Sequence, residues 1–309
     1  MPVTREDITF KSGGKTCAAW LYLPDRTHEE LPCVVMAHGF GGTREDAIPD
    51  FAERFVEAGM AALLFDYRHF GDSEGEPRQL LDIELQLEDW TAAIACARTR
   101  EEVDETRIAL WGSSFSGGHV VPTGVRDGHV QAVISQGPFA DGLKQIASFS
   151  LSLNLKITMH ALRDQFRALL GRTPHYVPVI GPPGCDAVLQ SPESEPGYRA
   201  IIGDGSRFRN ECTPRVMLQV PRYRPFRLGS QLACPWLVCI ADRDDLTPPQ
   251  IARELAEAGG AHVRGYDLGH FDIYRGEGFE RVVADQVAFL ERHVIEAGSI
   301  PVTPHHSAA

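Results

Sequence analysis

Short apolar runs, each closed by glycine or a turn residue and each followed by a helical pattern, recur along most of this chain. That alternation restricts it to an α/β fold built on a largely parallel sheet. LPCVVMAHG, AALLFDYR, RIALWG and VQAVISQG are such runs. Few polar residues interrupt them, as expected of strands covered on both faces. Between them FAERFVEAGM places Phe51, Phe55 and Ala58 at helical spacing, and LLDIELQLEDWTAAIACAR reads as a second amphipathic helix. The opening ITFKSGGKTCAAWLYLP reads as two strands joined at Gly13-Gly14, a hairpin signal.

The alternation stops near Phe139 and resumes at PWLVCIAD, followed by IARELAEAG, AHVRGYD and FERVVADQVAFLERHVI. The intervening stretch is irregular, with prolines at 174, 178, 182, 183, 192, 196, 214, 221 and 225. Compact domains rarely hold a structureless loop of that length, so a cap with helices of its own is expected there. The expected organisation is a core of residues 1–138 and 234–298, with a cap insertion at 139–233 after the sixth strand. Within the insertion LKITMHALRDQFRALLG carries Leu155, Met159, Leu162, Phe166 and Leu169 on one helical face. SFSLSLNL just before it alternates with period 2, which leaves strand and helix both open. The tail PVTPHHSAA is read as a frayed end rather than a metal site.

Composition closes off several function classes. Lys and Arg total 30 against 42 Asp and Glu, a formal net charge of -12 over 309 residues. A nucleic-acid binder needs a basic face to displace phosphate counterions, so that partner is not expected. No apolar run approaches the length of a membrane span, and MPVTREDITFKSGGK has no apolar signal core, so a membrane partner is not expected and the expected compartment is the cytoplasm. Seven scattered cysteines without a CxxC pair predict buried free thiols rather than a zinc site or disulfide framework.

The sharpest local signal is RIALWGSSFSGGH. A strand ends at Gly112, and Ser113 to Gly118 open a helix of small residues. A nucleophile on a tight strand-to-helix turn needs small neighbours because its backbone is strained against adjacent chains. Gly112 and Ser116 flank Ser114 at the −2 and +2 positions, one residue away from the G-x-S-x-G elbow. The competing reading is a glycine-rich turn capped by serine. A phosphate loop has little support, since neither G-x-G-x-x-G nor a Lys-Ser/Thr pair is present.

A serine hydroxyl attacks only when a histidine takes its proton, and the histidine needs a carboxylate to fix its tautomer. Both types occur downstream in loops that follow strands. CIADRDDLTPP carries three aspartates, and DLGHFD carries His270. Loops leaving the C-terminal edge of a parallel sheet converge, so Ser114, an aspartate and His270 can meet there. An oxyanion needs backbone donors. His38-Gly39-Phe40-Gly41-Gly42 after the third strand offers the Phe40 N–H, and the elbow offers that of Phe115.

Together, HGFGG, FDYRHFGDSEGEPR, IALWGSSFSGG, CIADRDDLTPP and DLGHF resemble the α/β-hydrolase superfamily. More narrowly they resemble dienelactone-hydrolase and Xaa-Pro dipeptidyl-peptidase-like serine esterases, a group that includes polyketide-tailoring hydrolases and acyltransferases. The resemblance implies an α/β-hydrolase fold with a mostly parallel eight-stranded sheet. It implies Ser114 as nucleophile, His270 as general base and, by alignment to the family's acid, Asp244 rather than Asp242 or Asp245. Ser116 in place of the second elbow glycine, and Ala241 in place of the glycine before the acid, depart from the family pattern without removing a reactive group. The activity implied is cleavage of a carboxylic ester or thioester through an acyl-enzyme, with no metal or organic cofactor. Acyl transfer in polyketide or other secondary metabolism is the alternative, using the same intermediate.

Substrate contacts are less defined. Tyr67 and Arg68 after the fourth strand, and His160 in the insertion, are candidate substrate-binding residues, each with a structural role as the simpler reading. His119 and Cys239 read as packed interior residues. Arg199, Arg207, Arg209, Arg215, Arg222, Arg224 and Arg227 face only Asp204 and Glu211 over the same stretch, a local excess of +5. That excess reads either as a solvated face or as a rim that draws in an anionic or carrier-bound acyl substrate. A homodimer is compatible with the sequence and not required by it.

Overall fold

The computed structural model describes residues 2–25 and 29–296, so the proposed frayed tail lies outside the described residues. Strands β1 (Val3–Ser12) and β2 (Lys15–Pro24) form the expected antiparallel hairpin, with Ser12 opposite Lys15. Gly13 and Gly14 turn it at φ +52° and +77°, a region that glycine enters without the steric cost a side chain would add. The sheet continues with β3 (Leu31–Ala37), β4 (Ala61–Phe65), β5 (Val103–Ser113), β6 (Ala132–Gln136), β7 (Trp236–Ala241) and β8 (His262–Tyr266). Its order is β1-β2-β4-β3-β5-β6-β7-β8. Only β1–β2 and β2–β4 pair antiparallel; every later pair is parallel.

Helices cover both faces. On one, α1 (Pro49–Glu57) packs against α8 (Gly276–Leu290). Phe51 of α1 lies 5.0 Å from the Trp111 ring on β5 and 4.8 Å edge-on from Phe279 of α8. All three are buried. Removing a ring such as Phe51 from so tight a cluster would cost about 3–5 kcal/mol. On the other face lie α2 (Ile83–Arg98), α3 (Phe115–Asp127) and α7 (Pro249–Ala258). The continuous apolar strands follow from this double coverage: all of β4, β6 and β7 is buried.

The chain between β6 and β7 holds α4 (Gly142–Ser148), α5 (Leu151–Leu169), α6 (Ser194–Ile201) and three short helical turns at 214–218, 220–222 and 225–231. The ambiguous SFSLSLNL becomes the start of α5, because the Ser150 hydroxyl caps it by accepting from the Leu153 N–H at 3.2 Å. The apolar row of α5 faces outward: Leu155, Met159, Leu162, Phe166 and Leu169 are each more than half exposed. The buried side of this helix is instead Ile157, Ala161 and Asp164.

The arginine-rich segment is held by carboxylates. Arg215 pairs with the buried Asp164 at 2.5 Å, and Arg224 and Arg227 with the buried Asp141 at 2.9 and 3.5 Å. Arg207 pairs with Glu45 and Asp72, Arg199 with Glu195, and Arg209 with Glu211. The local excess of positive charge in the sequence is therefore largely balanced by acids from elsewhere in the chain. Among the described residues no helix is long and apolar enough to cross a membrane. All seven cysteines are unpaired.

Candidate active site

Ser114 stands alone between β5 and α3 with φ +57° and ψ −119°. That backbone is rarely populated by a residue with a side chain and survives only where the surroundings enforce it. Here the Ser114 N–H donates to the Gln136 carbonyl at 2.8 Å, and its own carbonyl accepts from the Phe139 N–H at 2.9 Å. Both partners belong to or follow the neighbouring strand β6. A side chain at Gly112 would collide with the Ser116 carbonyl, which is the physical reason for glycine two places before the serine. Gly39 presses on the serine from the β3 loop: a Cβ there would stand 2.9 Å from the Ser114 Cβ.

Ser116 is explained by what it touches. Its Oγ is 2.7 Å from the Tyr67 hydroxyl, which also accepts from Trp90 Nε1 at 2.8 Å. All three are buried. A hydrogen-bonded brace thus ties the start of α3 to the β4 loop and to α2.

The loops after β7 and β8 bring Asp244 to His270. The imidazole Nδ1 lies 2.5 Å from Asp244 Oδ2, both side chains being buried. The carboxylate is itself fixed: Oδ1 accepts from the Leu246 and Thr247 N–H groups at 2.8 Å each, and Oδ2 from the Thr247 hydroxyl at 2.7 Å. Of the other two candidate acids, Asp242 is exposed and pairs with Arg253, and Asp245 is exposed. Because a carboxylate only accepts, Nδ1 carries the hydrogen in this pair, leaving Nε2 as the basic nitrogen of the neutral ring. Burial by itself would lower the His270 pKa. The Asp244 charge and hydrogen bond, helped by Asp245 and Glu193, outweigh burial and hold it above the ordinary histidine value.

Two cavities meet at Ser114. A small one of about 30 Å³ is bounded by Gly39, Phe40, Asp46, Tyr198 and His270. A larger one of about 210 Å³ has Phe139, Phe149, Val188, Met217 and Val220 in its wall, with Asp245 as its charged residue. Phe40 and Leu189 border both. Among the described residues the N–H groups of Phe40 and Phe115 have no acceptor, and both residues border the serine's surroundings.

The three expected substrate contacts lie elsewhere. Tyr67 stands behind the elbow in the brace just described and borders neither cavity. Arg68 is turned to the other end of its loop, bound to Asp89 at 2.7 Å and Ser12 at 2.6 Å. His160 stacks on His175 with ring nitrogens 2.8 Å apart and borders neither of these cavities, lining instead a small hollow on the far side of Val188 and Gln190. His119 is buried with both ring nitrogens engaged, by Tyr223 and Gln86, and burial pushes its pKa down to about 3. Cys239 is buried within β7.

Sequence reasoning did not find Tyr198, Asp46 or the apolar wall. Tyr198 and Val188 sit in the aperiodic insertion. Asp46 lies in a polar loop without a motif. Burial, opposed by hydrogen bonds from Ser206 and Thr43, pushes the Asp46 pKa up to about 6. Among the described residues no group of three or more His, Cys, Asp or Glu converges as a metal site would require.

The sheet order and the strained serine elbow at its C-terminal edge define an α/β-hydrolase enzyme. The chain belongs to the serine aminopeptidase S33 family, whose profile matches residues 28–269. It is 44% identical over 295 residues to the quorum-quenching protein AidA of Acinetobacter baumannii, covering 95% of this chain and 97% of that one. It is 28% identical to the polyketide transferase ATR5 of Stachybotrys chlorohalonatus, covering 94% and 98% of the two chains. The crystal structure of the α/β hydrolase GrgF from Penicillium sp. sh18 superposes with a TM-score of 0.81 at 25% identity, covering 94% of this chain and 99% of that one. Polyketide-tailoring enzymes, expected from the sequence resemblance, are thus among its relatives.

Proposed function

We propose that this protein is a serine hydrolase that cleaves a carboxylic ester or thioester through an acyl-enzyme. Asp244 orients His270 by accepting from Nδ1, and Nε2 takes the Ser114 proton as Oγ attacks the carbonyl carbon. The oxyanion is met by the N–H groups of Phe40 and Phe115. His270 then returns the proton to the leaving oxygen or sulfur. Water, deprotonated in turn by His270, releases the acid and restores the serine. The observation that carries this reading is the 2.5 Å Asp244–His270 pair on a ring that shares a cavity with Ser114.

The apolar wall of the larger cavity supports an uncharged acyl arm, since its one charged residue is an acid that would repel an anionic substrate at that point. Among the described residues six of the seven arginines over 199–227 are ion-paired within the fold, Arg222 being the exception, so an anionic or carrier-bound substrate draws little support from them. The kinship with a protein named for quorum quenching supports a small signalling molecule as substrate.

Hydrolysis of short-chain p-nitrophenyl esters by wild type and Ser114→Ala tests the nucleophile. Turnover that falls by about 10⁴-fold or more in the variant is the expected result; turnover that survives sinks the assignment. Acyl transfer is the second reading, favoured by the relative named a polyketide transferase. Product partition decides it: an acceptor adduct exceeding free acid, when a primary alcohol competes with water, would replace hydrolysis as the conclusion.

A further inference from the structure

The outward face of α5 is the largest apolar feature left uncovered on the described surface. Leu155, Met159, Leu162, Phe166 and Leu169 follow one another at intervals of four, three, four and three residues, the a/d spacing of a helix that meets another helix along its length. With roughly 100 Å² left on each of Leu151, Leu155, Met159, Leu162, Phe166, Leu169 and Leu170, this face offers on the order of 600–700 Å² per copy. That exceeds the few hundred Å² an ordinary monomer leaves exposed and approaches the about 800 Å² per partner of a standard interface.

With Leu151 and Leu170 added and Leu169 set aside, the row is also a palindrome. Turned end for end about a point between Met159 and Leu162, it superposes on itself: Met159 falls opposite Leu162, Leu155 opposite Phe166, and Leu151 opposite Leu170. All six are half or more exposed. A two-fold axis through that point would bring α5 against the α5 of a second copy, antiparallel, with these six side chains meeting one another and Leu169 falling opposite Ser152, the self-complementarity that a closed dimer requires. This register brings one like-charged approach, Lys156 to Arg163 of the second copy. Lys156 is already neutralised by Asp186 at 2.6 Å and tied to the Gly184 and Cys185 carbonyls. A bilayer surface is the less suitable cover, because a net charge of -12 repels the anionic lipids that hold interfacial helices.

We propose that α5 is the interface of a homodimer in which two copies pair antiparallel through this stripe. The inner side of the same helix starts beside the larger cavity, whose wall includes Phe149 and Leu153. Dimerisation therefore covers the outside of a segment whose inside shapes the site, and it stands whether or not the proposed chemistry does.

Light scattering after size exclusion, across low to high micromolar protein, is the test. The wild type is expected at twice the chain mass. Leu155→Glu and Phe166→Lys, both solvent-facing in one copy, are each expected to give monomers whose far-UV circular dichroism matches wild type. The double variant is expected to dimerise again, because Glu at 155 meets Lys at 166 only across the axis. A monomeric wild type overturns the proposal, and one that also floats with phosphatidylcholine vesicles assigns the stripe to a membrane instead. Dimers that persist in both single variants place the interface elsewhere. Single variants that dissociate without rescue in the double variant overturn the antiparallel register.

Discussion

The hydroxyl of Tyr67 lies 2.7 Å from Oγ of Ser116, two residues beyond the elbow serine. A serine where the family pattern has glycine thus acquires a purpose: it gives the buried tyrosine a second partner besides Trp90. Tyr67→Phe would leave the buried Trp90 N–H and the Ser116 hydroxyl without that partner, a loss of about 1–3 kcal/mol in urea unfolding. Ser116→Gly keeps the Trp90 bond and should cost less while leaving kcat within a few-fold of wild type. Equal stability of Tyr67→Phe and wild type would show the brace to be idle.

Asp244→Asn keeps the shape of the acid and loses its charge, so it favours the wrong imidazole tautomer. A drop in kcat of about 10³–10⁴-fold with KM little changed is expected. The pH profile gives an independent check. The proposed mechanism needs neutral His270, whose pKa is raised in the fold, so the acid limb of kcat/KM should fall above pH 6.5 in the wild type. In Asp244→Asn, where burial acts without the opposing charge, that limb should move down. The sign for stability is the reverse of that for activity. A raised folded pKa means the charged pair contributes stability fully present below the unfolded value of about 6.5 and lost as pH rises through the folded value. An acid limb unmoved in the variant would detach Asp244 from the titration.

Gly39→Ala puts a methyl group 2.9 Å from the Ser114 Cβ. Displacing a nucleophile by a fraction of an ångström to about 1 Å costs up to about 10²-fold. A fall in kcat of at least about tenfold, with the thermal midpoint lowered by only a few degrees, would identify the loop as part of the reacting geometry. Unchanged kcat would free it of that role.

Val188→Phe narrows the larger cavity near its apolar wall. Comparing p-nitrophenyl acetate with the octanoate should then show kcat/KM falling about tenfold or more for the long ester and little for the short one. Equal losses on both would mean that the acyl arm lies elsewhere.

Much of this architecture could be read from residue order alone, for identifiable reasons. The Gly13-Gly14 hairpin, the doubly covered strands and the elbow all depend on local rules: turn chemistry, period, and the small residues a strained serine demands. The geometry also separates Asp244 from Asp242 and Asp245, which the motif alone leaves open without the family. What could not be read lay where position depends on distant partners. The apolar row of α5 has the period of a core-facing helix, yet the helix is docked by its other side. Asp164 on that side is buried against Arg215, and this ion pair has no periodic signature. Tyr67 and Arg68 had the right loop for substrate contact, but each points to a partner, Trp90 or Asp89, that only the folded sheet supplies.

The insertion between β6 and β7 also divides the chain in time. A ribosome makes the elbow, the Phe40 loop and β6 first, then the whole insertion, and only afterwards the strands that deliver Asp244 and His270. Until β7 docks on β6 and β8 on β7, the nascent chain carries a serine with no base beside it. On the proposed mechanism, reactivity is therefore withheld through synthesis until the last quarter of the polypeptide adds itself to the edge of the sheet.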